Sequence, residues 1–573
     1  MNRKRLKSLF LSLATAKQWW ENGNFYQIYP RSYKDSNGDG VGDLNGITQK
    51  LQYIKDLGID GAWISPIFKS PMVDFGYDTA DYYQIHYEYG TMEDMENLLK
   101  KAKEIGLKII LDFVPNHTSD QHEWFKKSVL KEGDYTDFYV WHDGIKKDDN
   151  SQPDPPNNWV SVFRYPAWKW NEQRKQYYLH QFAAQQPDLN YRNPKVVEAM
   201  KNVLRFWLSK GVSGFRVDAV PFMFEVAPFS NGSYPDEPVN PDCPDKDDYC
   251  HTFHIYTNDQ PETYDMIYQW RQILDEFRTE NGGDDRVMLT EAYTNLTNII
   301  KFYGNETRNG SHVPFNFDLL TETITDQTAA NFHTHIHKFL DLVPKHQYAN
   351  WVLGNHDNNR VASRYGKNRA DLLNILLQTL PGIAVTYNGE EIAMTDVFIP
   401  WNETVDPQAC NTNPDVFQSF SRDPARTPFQ WDASTNAGFS TARKTWLPVS
   451  ADYKTNNVLM QQHAPISHLH IFKKLLKLRD EPSFDQGTFE SQLVNSDVIV
   501  YKRELTGSDI YVVVLNFGTT SHQIDLKSIY SGIGSKLEVI TTSLQSGYKD
   551  GDLIQGTNVT AYPEVGTVFV SIK

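Results

Sequence analysis

Cysteine is nearly missing from this chain, with three in 573 residues. So few cannot staple a loop-rich scaffold, and the fold must rest on a packed core. Cys243 and Cys250 stand close together in a Pro/Asp-rich loop and can close a small disulfide, which leaves Cys410 alone. No apolar run beyond the N-terminus reaches membrane-spanning length. The last residues, GTVFVSIK, read as a strand, not as the long apolar tail of a lipid-anchor signal. An excess of basic charge is lacking too. With 56 Lys and Arg against 72 Asp and Glu, the net charge of -16 argues against nucleic acid or an anionic membrane as partner. Disorder is excluded by 40% hydrophobic and 13% aromatic residues. The length exceeds one ordinary core and predicts a large domain with smaller ones attached.

What is present starts with the N-terminus, MNRKRLKSLFLSLATAKQWW. A basic start, a short apolar run and Ala14-Thr15-Ala16 follow signal-peptide grammar, with cleavage after Ala16. Six acceptor sequons, at Asn231, Asn295, Asn305, Asn309, Asn402 and Asn558, fit passage through the secretory route. A seventh, at Asn116, sits inside a strand-end motif and is expected to be buried and unmodified. The expectation is a secreted, extracellular glycoprotein with no transmembrane segment.

Short apolar strands alternate with longer amphipathic segments. The strands are FYQIYP, GAWISPIF, LKIILDFVPNH, GFRVDAV, RVMLTEAY, PFNFDLL, NWVLGNHD and IAVTYNGEE. Between many of them lie helical segments such as TMEDMENLLKKAKEIG and NPKVVEAMKNVLRFWLSKG. Eight strands in β/α alternation predict an α/β fold, a (β/α)8 barrel. Residues 17–117 and 191–482 form it. Residues 118–190, rich in Trp, Tyr, Pro and Asp, break the periodicity and read as an inserted subdomain after the third strand. From 483 to 573 the pattern becomes DVIVYKREL, DIYVVVLNFG, SKLEVITTS and GTVFVSIK, a C-terminal antiparallel β-sandwich.

Asp112, Asn116, His117, Arg216, Asp218, Glu291, His356 and Asp357 fall at the C-terminal ends of those strands. If the barrel closes, they meet at one mouth, where such folds carry their chemistry. Three carboxylates stand out: Asp218, Glu291 and Asp357. Cleaving a glycosidic bond needs one carboxyl protonated at the leaving oxygen and one ionised at the anomeric carbon. Arg216, two residues before Asp218 on the same side of a strand, would keep Asp218 ionised. Glu291 has no cation encoded nearby. Asp112 would only order the loop to Asn116 and His117. A zinc reading fails because no local pair has ligand spacing.

The motifs DFVPNH, QPDLN, GFRVDAV, LTEAY, GNHDNNR and SRDPARTPFQW together resemble the retaining α-glucosidases of the α-amylase superfamily, most of all the secreted insect maltases. That resemblance, running from Trp19 to the end, implies an exo-acting enzyme that releases glucose from maltose, short malto-oligosaccharides and sucrose. It makes Asp218 the nucleophile, Glu291 the general acid/base and Asp357 the carboxylate that steadies the distorted sugar. His117, Arg216 and His356 would line the glucosyl subsite. Asp74, Tyr77 and Arg422 would close the non-reducing end, with Tyr77 a stacking platform. Ala219, directly after the nucleophile, would sit in the strand pointing away from Asp218 yet near the leaving sugar. In the family a Val there goes with α-1,6 cleavage, and smaller or polar residues with α-1,4.

DSNGDGVGDLNG supplies oxygens at Asp35, Asn37, Asp39 and Asp43, like half an EF-hand loop, but the twelfth position is Gly46 instead of Glu. The residues alone leave open a metal-free Asp/Gly turn. The resemblance places the loop after the first strand and implies one structural Ca²⁺ held by those four side chains and the Val41 carbonyl. The rival function is a non-catalytic binding or receptor protein on the same scaffold, as in the ancillary subunits of amino-acid transporters; a transglucosylating or α-1,6-preferring glucosidase is the other alternative.

Overall fold

The computed structural model describes residues 17–146 and 151–572; the signal-peptide reading of residues 1–16 lies outside the described residues. Eight parallel strands make one sheet that curls into a barrel. They are β1 (Asn24–Ile28), β2 (Gly61–Ile64), β3 (Lys108–Phe113), β4 (Gly214–Val217), β5 (Val287–Thr290), β6 (Val313–Pro314), β7 (Asn350–Val352) and β8 (Ile383–Tyr387). Their order is β6-β5-β4-β3-β2-β1-β8-β7. The ladder breaks only between β6 and β7, where Pro314 has no N–H to offer. The Asn350 side chain spans the seam, accepting from Asn316 N (2.8 Å) and donating to the Pro314 carbonyl (2.5 Å).

Period-two alternation divides each strand between two environments. In β3, Ile109, Leu111 and Phe113 pack outward against the helices, while Ile110 joins an inner core with Trp63, Val287, Leu289, Phe315 and Val385. In β4, Phe215 and Val217 face out, which turns Arg216 inward opposite Asp112. The glycine heading β4 is forced by its neighbour, since a Cβ at Gly214 would lie 2.1 Å from the Val287 carbonyl.

The surrounding helices are locally encoded. Met92–Glu104 starts from a capping box between Thr91 and Asp94 and buries Met95, Leu98 and Ala102. Pro194–Lys210 has Asn193 as N-cap, Pro at its first turn and Gly211 in the left-handed region (φ 99°) as its stop. Its buried residues Val196, Met200, Val203, Leu204, Trp207 and Leu208 keep helical spacing.

Between β3 and β4, a three-stranded antiparallel sheet (Trp141–His142, Gln176–Leu179 and Trp168–Asn171) has its own core of Trp159, Trp168, Tyr177 and Leu179. Bridges His117 to Asp188 and Tyr139 to Leu189 tie it to the mouth. The C-terminal part is a six-stranded antiparallel sheet facing a two-stranded one. Within Val498–Glu504, Val498 and Val500 fill the space between those sheets, while Ile499 and Tyr501 pack on the barrel side with Leu372 and Leu475. No helix among the described residues is long and apolar enough to cross a membrane. Cys243 and Cys250 are bonded, and Cys410 is free and exposed.

Candidate active site

The strand-end residues do meet at one mouth. Asp218 follows β4 directly, Glu291 follows β5, and His356 and Asp357 lie a few residues past β7. Asp218, Glu291 and Asp357 line a cavity of about 330 Å³ together with Asp74, Tyr77, His117 and Arg422. Its remaining walls include Phe163, Phe182, Ala219, Phe222, Tyr249, Asn258, Tyr293 and Gln408.

Arg216 is the floor. It is 1% exposed, lies over the Trp63 ring, and reaches Asp112 at 3.1 Å, Asp218 at 2.5 Å and Glu291 at 3.6 Å. Two expectations are corrected here. Glu291 does have a cation beside it, supplied by the adjacent strand β4, and its Oε2 also accepts the Ala219 N–H at 2.6 Å. Asp112 does not order the loop to His117. It accepts from Trp63 Nε1, Tyr77 OH and Arg216 and so fixes the guanidinium from below. Burial raises the carboxyls of both Asp218 and Glu291, with Arg216 opposing in each case. The shorter contact makes Asp218 the carboxyl whose ionised form Arg216 favours more. Asp357 behaves oppositely. Burial alone would raise it, but the His356 ring and the guanidiniums of Arg426, Arg422 and Arg216 overcome that and hold it well below the usual carboxylate range.

Ala219 differs from the sequence reading as well. It is not in β4 but just past it, in the left-handed region (φ 49°, ψ 38°), buried and lining the cavity. That turn is what carries its N–H to Glu291.

His356 is clamped between the Tyr77 ring (5.3 Å, 7°) and the Tyr29 ring (5.5 Å, 28°), and its Nδ1 accepts from Gln27 (2.7 Å). Burial drives its pKa well down against the opposing pull of Asp357, and its Nε2 lies 3.4 Å from that carboxylate. His117, pushed down to about 4 by burial, donates from Nε2 to the Tyr77 carbonyl (2.9 Å). Gln186 of QPDLN touches both His117 (3.1 Å) and Asp74 (3.3 Å), which explains that motif physically.

One end of the cavity is shut. Arg422 Nη2 donates to Asp74 (2.8 Å) and to Asp406 (2.6 Å), Nη1 reaches Asp357 (3.3 Å), and the guanidinium lies over Phe163. Arg426 adds a second cation, 2.8 Å from Asp357. Asp406, Arg426 and Phe163 were missed by the sequence reading. Arg426 lay inside a quoted motif, but Asp406 and Phe163 carried no local signal at all.

The Asp35–Asp43 loop follows β1 by a short helix. Its donors are all hard oxygens. Asp35 and Asp43 are buried, and none of Asp35, Asp39 and Asp43 has an ion-pair partner among the described residues. Much of their capacity goes to the loop itself: Asp35 accepts from the backbone N–H of Asn37, Gly38 and Gly40, and Asp43 from Ser36 and Gly46. All six sequon asparagines are exposed, and Asn116 is buried.

Residues 27–487 match the family described as the α-amylase catalytic domain. Maltase A1 of Drosophila melanogaster is 62% identical over 560 residues, covering 97% of this chain and 97% of that protein. A salivary α-glucosidase of Aedes aegypti is 52% identical over 564 residues, covering 98% and 97%. Among solved structures, the α-glucosyl transfer enzyme XgtA superposes with a TM-score of 0.85 at 32% identity, covering 97% of this chain and all of its own.

Proposed function

The chain belongs to the α-amylase family and is an α-glucosidase, and we propose that it removes single glucose units from the non-reducing end with retention of configuration. The observation that carries this is the joint placement of two things: Asp218 and Glu291 about one buried arginine, and a cavity shut at one end by Asp74, Arg422 and Asp406. A closed end admits a terminal sugar and stops an internal one.

Asp218, ionised beside Arg216, attacks the anomeric carbon. As that bond forms, the glycosidic C–O bond breaks and the leaving oxygen takes the Glu291 proton. The Glu291 carboxylate then takes a proton from water, which attacks the same carbon and releases Asp218. Two inversions restore the α configuration. Asp357, held ionised by its cations, faces the positive charge that develops on the ring. His356 Nε2 has no hydrogen-bond partner among the described residues and is a free donor for a sugar hydroxyl, beside the Asp74–Arg422 pair. Maltose and short malto-oligosaccharides are the substrates this reading gives, with sucrose as a further one.

On the same reading the enzyme is secreted and glycosylated. The exposure of Asn231, Asn295, Asn305, Asn309, Asn402 and Asn558 and the likeness to a salivary relative support that. The side chains of Asp35, Asn37, Asp39 and Asp43 with the Val41 carbonyl would hold Ca²⁺, which would neutralise a loop of unpaired carboxylates and brace it structurally. The binding-protein alternative has no need of an intact carboxylate trio.

Asp218→Asn should lower turnover of p-nitrophenyl α-glucoside on the order of 10⁴-fold, as removal of a nucleophilic unit does. The wild type should release α-glucose first in an NMR time course. Initial β-glucose would sink the retaining mechanism.

A further inference from the structure

We propose that Tyr249 is a specificity-determining contact for the leaving sugar, and that the Cys243–Cys250 bond is what positions it. The inference rests on the α-glucosidase reading and adds to it a residue outside the glucosyl half of the cavity. The cavity draws its lining from different loops. Asp74 and Arg422 shut one end, on the loops after β2 and β8, while Tyr249 and Asn258 line the same cavity with Phe222 and Tyr293. Both Tyr249 and Asn258 come from the long irregular connection between β4 and helix Pro261–Asn281. That connection is fastened beside Glu291. Asp259 N donates to the Pro221 carbonyl (2.9 Å), Thr294 Oγ1 donates to Asp259 (2.6 Å), and Val220 N donates to the Glu291 carbonyl (3.1 Å). Tyr249 therefore stands on the side where Glu291 would protonate the departing oxygen.

The ring is held before any sugar arrives. It stacks on His254 (3.5 Å, 7°), its hydroxyl accepts from Asn258 Nδ2 (3.0 Å), and its carbonyl accepts from His254 Nε2 (2.7 Å). A tyrosine offers an apolar face to a sugar's C–H surface and a polar tip to its hydroxyls. The backbone carrying it belongs to no sheet: the short 3-10 turn Tyr249–His251 is held by a single β-bridge, Val239 to Thr252, and by Asn240, whose N–H and Nδ2 donate to the His251 and Cys250 carbonyls (2.8 and 2.9 Å). Covalent closure between positions 243 and 250 adds a restraint directly beside Tyr249. Asp248, on its other side, pairs with Arg164 (2.9 Å), and His251 Nδ1 donates to the Cys243 carbonyl (2.8 Å).

The test compares maltose with α-glucosyl fluoride, whose leaving group fills no sugar site and needs no proton. In Tyr249→Ala, kcat/KM on maltose should fall about tenfold or more, chiefly through KM, while kcat/KM on α-glucosyl fluoride stays within about twofold. Tyr249→Phe should keep most maltose activity. The paired Cys243→Ser, Cys250→Ser variant should show the same split, smaller in size. Equal losses on both substrates, or no loss on maltose, would overturn the role of Tyr249. Wild-type protein that hydrolyses neither substrate would overturn the glucosidase reading and this inference with it.

Discussion

Replacing Arg422 by Ala isolates the closed end of the cavity, because one guanidinium serves three carboxylates there. It lies 2.8 Å from Asp74, 2.6 Å from Asp406 and 3.3 Å from Asp357, and Asp74 and Asp406 are both buried. Breaking a buried pair of this kind leaves an uncompensated charge and costs about 3–5 kcal/mol. If Asp74 and Arg422 each give one charge-assisted hydrogen bond to the terminal sugar, about 1.5–3 kcal/mol apiece, kcat/KM on maltose falls about 10²- to 10⁴-fold. The stability loss has a pH signature. In the wild type, burial pushes the Asp406 carboxyl up, but Arg422 overcomes it and holds the group below its ordinary value. A depressed carboxylate contributes stability above its unfolded pKa and loses it as pH falls through the folded value. Without the Arg422 guanidinium, burial is opposed only by Arg426 and the backbone N–H of position 422, so the same carboxyl rises and the variant suffers most where the carboxylate should be ionised. Denaturation at about pH 7.5 should therefore show a larger deficit against wild type than at about pH 5. Arg422→Lys should recover less activity than stability, since one ammonium cannot span three carboxylates. A kcat/KM within about threefold of wild type, or a deficit that grows toward acid, would refute the reasoning.

Two other changes test separate parts of the structure. Ala219→Val should raise the isomaltose-to-maltose ratio of kcat/KM about tenfold or more by narrowing the leaving-sugar side; it should also lower thermal stability, because the left-handed backbone at Ala219 costs an L residue about 1–2 kcal/mol and a β-branched one more. Ala219→Gly should be more stable with no shift toward isomaltose, and wild-type efficiency on isomaltose above that on maltose would count against the linkage argument. Glu390 sits against an apolar cavity with Leu353, Val361 and Met394, its Oε1 unpartnered among the described residues, and burial lifts its pKa from 4.5 to about 8. A raised carboxyl loses stability as pH climbs from the unfolded value toward the folded one, by about 1.4 kcal/mol per unit. Glu390→Gln removes that slope, so melting curves should show the variant gaining on wild type between those limits; parallel curves would contradict the assignment.

The sequence by itself determined whatever rests on near neighbours. Seven of the eight barrel strands were legible from apolar runs and their alternation with helical segments, because burial on two faces imposes those periods wherever the strand ends up; the sixth was read as PFNFDLL, of which only Pro314 lies in the strand while Asp318 to Leu320 are helical. The polar residues closing the strands named Asp218, Glu291 and Asp357, since a barrel brings strand ends to one mouth. Arg216 beside Asp218 was legible too, as a period-two neighbour. Only the tertiary structure decided which charge answers which. Arg422 and Asp74 meet from 348 positions apart, and Asp406 joins them without any motif of its own. Glu291 gains its cation and its Ala219 N–H from a neighbouring strand, so a local reading left it bare. The same holds for the seam that Asn350 bridges and for the left-handed turn at Ala219, a backbone state that an alanine gives no reason to expect. Pairing across the mouth depends on loop paths, and burial sets the protonation of the carboxyls; neither is a property of any short stretch of chain.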